Sequence, residues 1–211
     1  MSEPFDFSSL RAARCGRSWY ARDALVLARA LIGSFLVHEF DAGAEVRVSR
    51  IVETEAYRGP RDLACHARAG LTNRTRTLLG EHGHAYVFFV YGMHDCFNVT
   101  CGGKGWGHAV LIRAGEPTAG FAHGAHSAKL ASLAGPGRFA RAMGITRALD
   151  GADLTTGPLY VCPRIARPRI GVTARVGVAY AGVWADKPWR FLDPTSRHVS
   201  KPPKSAIGRP G

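Results

Sequence analysis

The sequence predicts a single α+β domain built around a curved, mostly antiparallel sheet with a few surrounding helices, and three observations carry that expectation. An Ala- and Leu-rich stretch at 21–32 is closed by Gly33, as a helix with a glycine stop would be. Short runs dense in Val, Phe and Tyr recur between residues 34 and 114, each bounded by turn residues. The clearest of them, EVRVSRIVETEAY at 45–57, sorts its side chains into two unlike faces, as in an antiparallel sheet packed on one side.

In chain order, residues 1–18 read as a loose leader and 21–32 as the first helix. SFLVHEF at 34–40 and the run at 45–57 are strands joined by the turn residues Asp41, Ala42 and Gly43. In the second strand Val46, Val48, Val52 and Thr54 share one face; Ile51, Glu53, Glu55 and Tyr57 share the other. An irregular, Arg-rich segment follows at 58–84. AYVFFVY at 85–91 and a partner near 95–101 form a hairpin with its tip at 91–94. HAVLIRA at 108–114 is a third strand, 115–137 a linker or surface loop, and RFARAMGI at 138–145 a short helix. LYVCP at 159–163 and ARVGVAYAG at 174–182 add strands. From 194 the chain is basic and Pro-rich and reads as a mobile tail, so one domain is expected over 19–193.

Hydrophobic residues make up 46% of the 211 and charged residues 21%, an ordinary globular balance that excludes disorder as the main state. The charge is less ordinary: 28 Lys plus Arg against 16 Asp plus Glu give +12. A domain this basic faces a polyanion, nucleic acid or an acidic membrane, unless its surface is simply solvated. Lys occurs only at 104, 129, 187, 201 and 204. The remaining positive charge is Arg, whose planar fork suits phosphate and favours nucleic acid.

No apolar run approaches the roughly 18 residues that span a membrane, and the first residues lack the order of a secretory signal. A soluble intracellular protein is expected, cytoplasmic or nucleoid-associated in a bacterium and nuclear in a eukaryote. Cys15, Cys65, Cys96, Cys101 and Cys162 are odd in number and lack paired metal-ligand spacing, as do His82 and His84. Free thiols, no metal and no cofactor are expected, since there is also no Gly-rich phosphate loop.

The phrase RIVETEAYRGPRDLACHARAG at 50–70 is where the chemistry concentrates. Glu53 and Glu55 project from one strand face roughly 6.5–7 Å apart, a spacing open to a glycosidase carboxylate pair or to two Glu facing solvent. Pattern alone leaves both open.

ETEAY with His66 nine residues beyond Tyr57, then YVFFVYGMHDCFNV, HAVLIRAGEP and ARVGVAYAGVWADKPWRF, closely resembles the alkyladenine (3-methyladenine) DNA glycosylase family. The likeness runs with gaps from about Leu25 to Phe191, and its four motifs in order are specific where one would be weak. It implies a fold with a protruding, DNA-intercalating β-hairpin, and a partner that is double-stranded DNA containing damaged purines. Glu55 matches the general base that activates water against C1′, and Arg113 an arginine that positions that water; Glu53 becomes a supporting residue. Tyr57, His66 and Phe88 match the walls of the base pocket, with Phe88 where some members carry Tyr. Asn98 matches a residue that tests the purine edge, set against a strand Asn satisfied by backbone. Tyr91 matches the wedge that fills the gap left by a flipped nucleotide, and Met93 lies close by.

The activity so implied is hydrolysis of the N-glycosidic bond of 3-methyladenine, 7-methylguanine, hypoxanthine or ethenoadenine, leaving an abasic site. No Lys in these motifs stands where an amine nucleophile belongs, so no strand-cleaving lyase step is expected, and a monomer suffices. The rival readings are a lesion-binding protein without turnover and an RNA-processing enzyme of the same fold. Glu55 argues against a pure binder, which gains nothing from a carboxylate facing phosphates.

Overall fold

The computed structural model describes residues 7–90, 94–121 and 133–200. Its sheet is organised by β2 (Glu45–Arg58), which is long enough to take different neighbours along its two halves. On one side it pairs with β5 (His108–Ala119); on the other, β1 (Phe35–Phe40) covers its first half and β8 (Arg190–Leu192) residues 53–55. β3 (Ala85–Val90) and β4 (His94–Cys101) extend the sheet beyond β5, β6 (Leu159–Cys162) beyond β1, and β7 (Gly171–Thr173) pairs with β8. These pairings are antiparallel, as the sequence predicts, and the fold class is α+β. β3 and β4 pair as far as Val90 with His94; Tyr91 and Met93 lie outside the described residues.

The expected one-sided strand is corrected by β2. Its register shifts between Val48 and Ser49 and on both sides of Glu53, and residues 51–56 are buried without exception. A β-bulge adds a residue to one strand and so resets which side chain faces which way. Ile51, expected beside Glu53, instead joins Ala56 in the main core, and Thr54 donates to the Ala28 carbonyl of the helix covering that face. Strict period-two counting misses this because it assumes an uninterrupted ladder.

That helix is α3 (Ala24–Leu31), three residues shorter at its start than expected because the Asp23 carboxylate caps the Leu25 N–H at 2.9 Å. Ala24, Leu27, Ala28 and Leu31 form its buried stripe, and Gly33 at φ 85° ends it. α4 (Pro136–Ala142) opens with a proline and drives Phe139 into the same core, among Leu31, Leu36, Ile51, Phe97 and Ile112.

Three further expectations are corrected. Residues 174–182 are not a strand: Gly182 (φ 56°, ψ −133°) breaks extended backbone, and a 3-10 turn occupies Ala179–Trp184. β5 runs on to Ala119, into the stretch read as a loop. Contacts also extend past both ends of 19–193. α1 (Phe7–Ala12) and α2 (Arg17–Tyr20) lead to Tyr20, which is fully buried; the Cys15 N–H donates to Val161; and Ser200 is buried against Glu53. All five cysteines are free and buried, and no described helix is long and apolar enough to cross a membrane.

Gly115 sits where β5 crosses β2 beneath α4. A Cβ there would collide with Ser49 Oγ and come within 2.7 Å of the Phe139 ring and 3.1 Å of the Arg50 carbonyl. Gly115→Ala should therefore cost about 1–3 kcal/mol through overpacking, measured as a lower urea midpoint at unchanged slope.

Candidate active site

β2 delivers two carboxylates into the interior, two residues apart and both at 0% exposure. Charge cannot be buried this way unless it is matched. Glu53 is fully engaged: its Oε1 accepts from Arg113 Nε at 2.8 Å, Arg190 Nε at 2.7 Å and Ser200 Oγ at 2.8 Å, and its Oε2 from the Ser200 N–H at 2.6 Å. Glu55 is held more lightly. Its Oε1 accepts from the Val176 N–H at 2.7 Å and lies 3.3 Å from Arg113 Nη1, while its Oε2 accepts from Tyr57 Oη at 2.9 Å. Neither carboxylate faces bulk solvent, and Glu55 has fewer donors against it than Glu53.

Arg113 joins the two. Burial works against its charge, but Glu55 and then Glu53 outweigh that and raise its pKa. Burial, and next to it Glu55, push the Tyr57 phenol well above its ordinary value, so its hydroxyl remains a donor to Glu55. The loop carrying Val176 is tied down by its neighbour. Arg175 Nη1 and Nη2 reach Asp62 at 2.6 and 2.9 Å and also donate to the Ala56 and Trp184 carbonyls. The same guanidinium stacks 4.7 Å over the Tyr57 ring and 5.0 Å over Trp189. One buried ion pair thus fixes both donors that Glu55 meets from this side, the Val176 amide and the Tyr57 hydroxyl.

In front of Tyr57 and Arg113 opens a cavity of about 410 Å³. Its walls are mostly apolar or aromatic, including Tyr57, His66, Tyr86, Phe88 and Tyr180, with the polar Asn98 and the guanidiniums of Arg74 and Arg113 among them. His66 meets Phe88 edge-on at 4.5 Å, Tyr86 lies 5.3 Å from Phe88, and Tyr86 Oη is 2.9 Å from His66 Nδ1. Burial first, then the nearby Arg74, lower the His66 pKa to about 4, so the imidazole is neutral at pH 7. Asn98 spends its amide N–H on the Tyr86 carbonyl at 3.1 Å, which meets the expectation of a backbone-satisfied strand Asn, yet it also lines the cavity. A second cavity of about 620 Å³ shares Val90, Cys96, Arg113 and Pro136 with the first and carries His94, Arg138 and Arg197. Among the described residues no group of three His, Cys, Asp or Glu could hold a metal ion.

The structure therefore brings Arg113, Tyr57, His66, Phe88 and Asn98 around one cavity. Glu55 is not among its lining residues and lies behind Tyr57, Arg113 and Val176, which contact both. Sequence reading missed Tyr86, two residues before Phe88 and legible from the period of a strand. It also missed Arg175 with Asp62, and Arg190 with Ser200, whose pairings span 113 and 10 residues and have no local signal.

Comparison with known proteins identifies the family. Residues 18–197 match the family model described as methylpurine-DNA glycosylase. A protein of Myxococcus xanthus (strain DK1622), named as a candidate 3-methyladenine DNA glycosylase, is 48% identical over 195 residues, 92% of this chain and 96% of its own length. Proteins of the same name from Methanocella arvoryzae and Legionella pneumophila (strain Lens) are 47% and 39% identical, each over 88% of this chain and at least 94% of their own.

Two measurements probe the electrostatics of the site. The His66 ring, followed by NMR, should stay neutral until about pH 4. Because its folded pKa lies below the unfolded value near 6.5, the unfolded chain takes the proton first, and stability is lost as pH falls from about 6.5 towards 4. His66→Gln should remove that part of the acid sensitivity; an unchanged pH–stability curve would contradict it. Asp62→Asn, which leaves a buried guanidinium unpaired, should cost about 3–5 kcal/mol in chemical denaturation.

Proposed function

This chain belongs to the methylpurine-DNA glycosylase family, and from that premise we propose that it excises alkylated or deaminated purines from duplex DNA with Glu55 as the general base. The observation that carries the proposal is a buried carboxylate, oriented by the Val176 amide, the Tyr57 hydroxyl and Arg113, directly behind an aromatic cavity. A cavity of about 410 Å³ is in the range of small-molecule sites and suits a single base turned out of the stack.

In this reading the purine stacks on Tyr57, His66 and Phe88, a contribution of about 1–3 kcal/mol per stacked ring. A neutral His66 matters here. Alkylation at N3 or N7 makes the purine cationic, and an imidazolium would add to the positive charge that Arg74 and Arg113 already bring to the lining. Asn98 narrows the cavity at the edge where normal guanine carries its exocyclic amine. Phe88 supplies the stacking face without a hydroxyl. The adjoining groove, with His94, Arg138 and Arg197, runs from Arg113 and offers positive charge to the flanking phosphates. Tyr91 and Met93, at the β3–β4 tip, are proposed on sequence alone as the wedge that replaces the flipped nucleotide.

The chemistry follows from placement. As the C1′–N bond lengthens, its electron pair goes to the departing base and positive charge grows on the sugar, facing the Glu55 carboxylate. Water held at Glu55 gives its proton to the carboxylate as its oxygen bonds to C1′, leaving an abasic site. Arg113 Nη1 lies 3.3 Å from Glu55 Oε1 and helps to aim the carboxylate. Glu53, with its oxygens already taken by Arg113, Arg190 and Ser200, is a positioning residue. A cationic base leaves as a neutral molecule and needs no acid; hypoxanthine and ethenoadenine need a proton, which a neutral His66 does not carry at pH 7. No amine nucleophile enters, so the reaction stops at base release in a chain acting as a monomer.

The test is base release from methylated and from hypoxanthine-containing duplexes in EDTA. Glu55→Gln should lower release by about 10²–10⁴-fold while lesion binding persists. Equal release by both proteins would remove Glu55 from the mechanism, and tight lesion binding with no release by either would mark a binding module.

A further inference from the structure

A second cationic cavity lies away from the base cavity, and the chemistry above leaves it unused. The loop after β6, PRIARP at 163–168, folds over the C-terminal end of α3 and, with Trp19 and Arg22, encloses about 290 Å³. Arg22, Arg164 and Arg167 line it, and no carboxylate does. Among the described residues none of the three has an ion-pair partner. The two cavities share no lining residue. β6, from which this loop departs, ends the sheet order opposite β3, which helps to line the base cavity.

Two of the three guanidiniums are held by contacts other than opposite charge, and the exposed Arg167 lies on the same loop as Arg164. Arg22 stacks over Trp19 at 5.0 Å. Arg164 Nη1 donates to the Arg29 and Ile32 carbonyls at 3.0 and 3.2 Å, closing the last turn of α3 and leaving Nε and Nη2 without a partner among the described residues. Pro163 and Pro168 restrict the loop, and Gly33 lets Pro168 pack so closely that a Cβ there would stand 3.1 Å from its ring. Burial, and after it Arg167 and Arg22, hold the Arg164 pKa below its ordinary value. Like charges fixed at one place without a counter-charge make a standing site for an anion, and planar arginine forks suit phosphate oxygens in particular.

We propose that this cavity, lined by Arg22, Arg164 and Arg167, is a second phosphodiester-binding site that holds duplex DNA away from the base cavity. The choice of DNA as the phosphate source rests on the glycosylase reading. The segment it takes is a second duplex, or a distant stretch of the duplex already engaged. A protein with two such sites can keep hold of one segment while it samples another, which is how an electrostatically bound searcher moves along and between DNA.

The test uses the full chain and the double variant Arg22→Glu with Arg167→Glu; Arg164 stays because it closes α3. Two undamaged duplexes, one carrying a donor dye and one an acceptor, are mixed with protein over a salt series. In parallel, affinity is measured for short and long duplexes, and base release is followed in single turnover on a short methylated duplex. Wild-type protein should bring the two duplexes together. The variant should lose this about tenfold, with a salt slope lower by about 1 to 2, while single-turnover release is unchanged. Loss of a length-dependent gain in affinity instead of bridging supports the same site and assigns the phosphates to one duplex. Indifference of both readouts to the variant overturns the proposal. So does wild-type binding to phosphatidylserine vesicles that the variant lacks, with both DNA readouts the same. Arg22→Ala with Arg167→Ala repeats the comparison should the charge reversal unfold the chain. Bridging without base release by the wild type would sink the glycosylase reading and leave the second site standing.

Discussion

Two carboxylates separated by one residue on a buried strand repel each other, and desolvation penalises each of them as an ion. Arg113 is what makes the arrangement possible. It reaches Glu53 with Nε and Glu55 with Nη1, and Arg190 adds a second positive charge on the Glu53 side. Around this group β2, β5 and β8 are held together through side chains as well as backbone, and Ser200 brings the chain beyond β8 back onto the same carboxylate. Glu53 draws four donors, and Glu55 only two, with Arg113 at 3.3 Å. A fold that buries β2 on both faces thereby also fixes the direction of a carboxylate.

A second buried pair, Asp62 with Arg175, does for the surroundings of Glu55 what Glu53 does for Arg113. The Arg175 guanidinium has four oxygen partners and two aromatic rings against it, which locks the Tyr57 ring and the start of the Val176 loop together. Nη1 and Nη2 carry all four of these bonds, while the buried Nε has no partner; a hydrogen-bonded network gains rigidity from the bonds it does make. Rigidity is what a site needs if its donors are to be in place before charge develops on a substrate.

The charges outside these networks serve a different purpose. Of a formal +12, the buried pairs consume as much negative as positive charge, so the excess is left on the surface. Part of it rims the groove beside the base cavity at Arg138 and Arg197; another part gathers at Arg22, Arg164 and Arg167 at the opposite end of the sheet order. The interior is electrically balanced to hold one anion in place, while the exterior is unbalanced in favour of a polyanion.

Composition and periodicity by themselves determined the class of the fold, the helix before Gly33, most of the strands and the basic surface, because each is written in local residue types; the family came from the resemblance of four motifs read in order. Glu55, Tyr57, His66, Phe88, Asn98 and Arg113 were singled out through that resemblance alone; a strand Glu is otherwise as well placed in solvent. Tertiary structure decided the rest. The bulges beside Glu53 reversed the facing of Ile51, since register depends on the partner strand and not on the strand's own pattern. The run at 174–182 looked extended, but Arg175 is drawn inward by a carboxylate 113 residues away and the glycines after it turn the backbone. In the stretches read as a loose leader and a mobile tail, the Cys15 N–H donates to Val161 and the Ser200 N–H to Glu53. Which charges pair in the interior is a question of long-range geometry, and no window of sequence contains both partners.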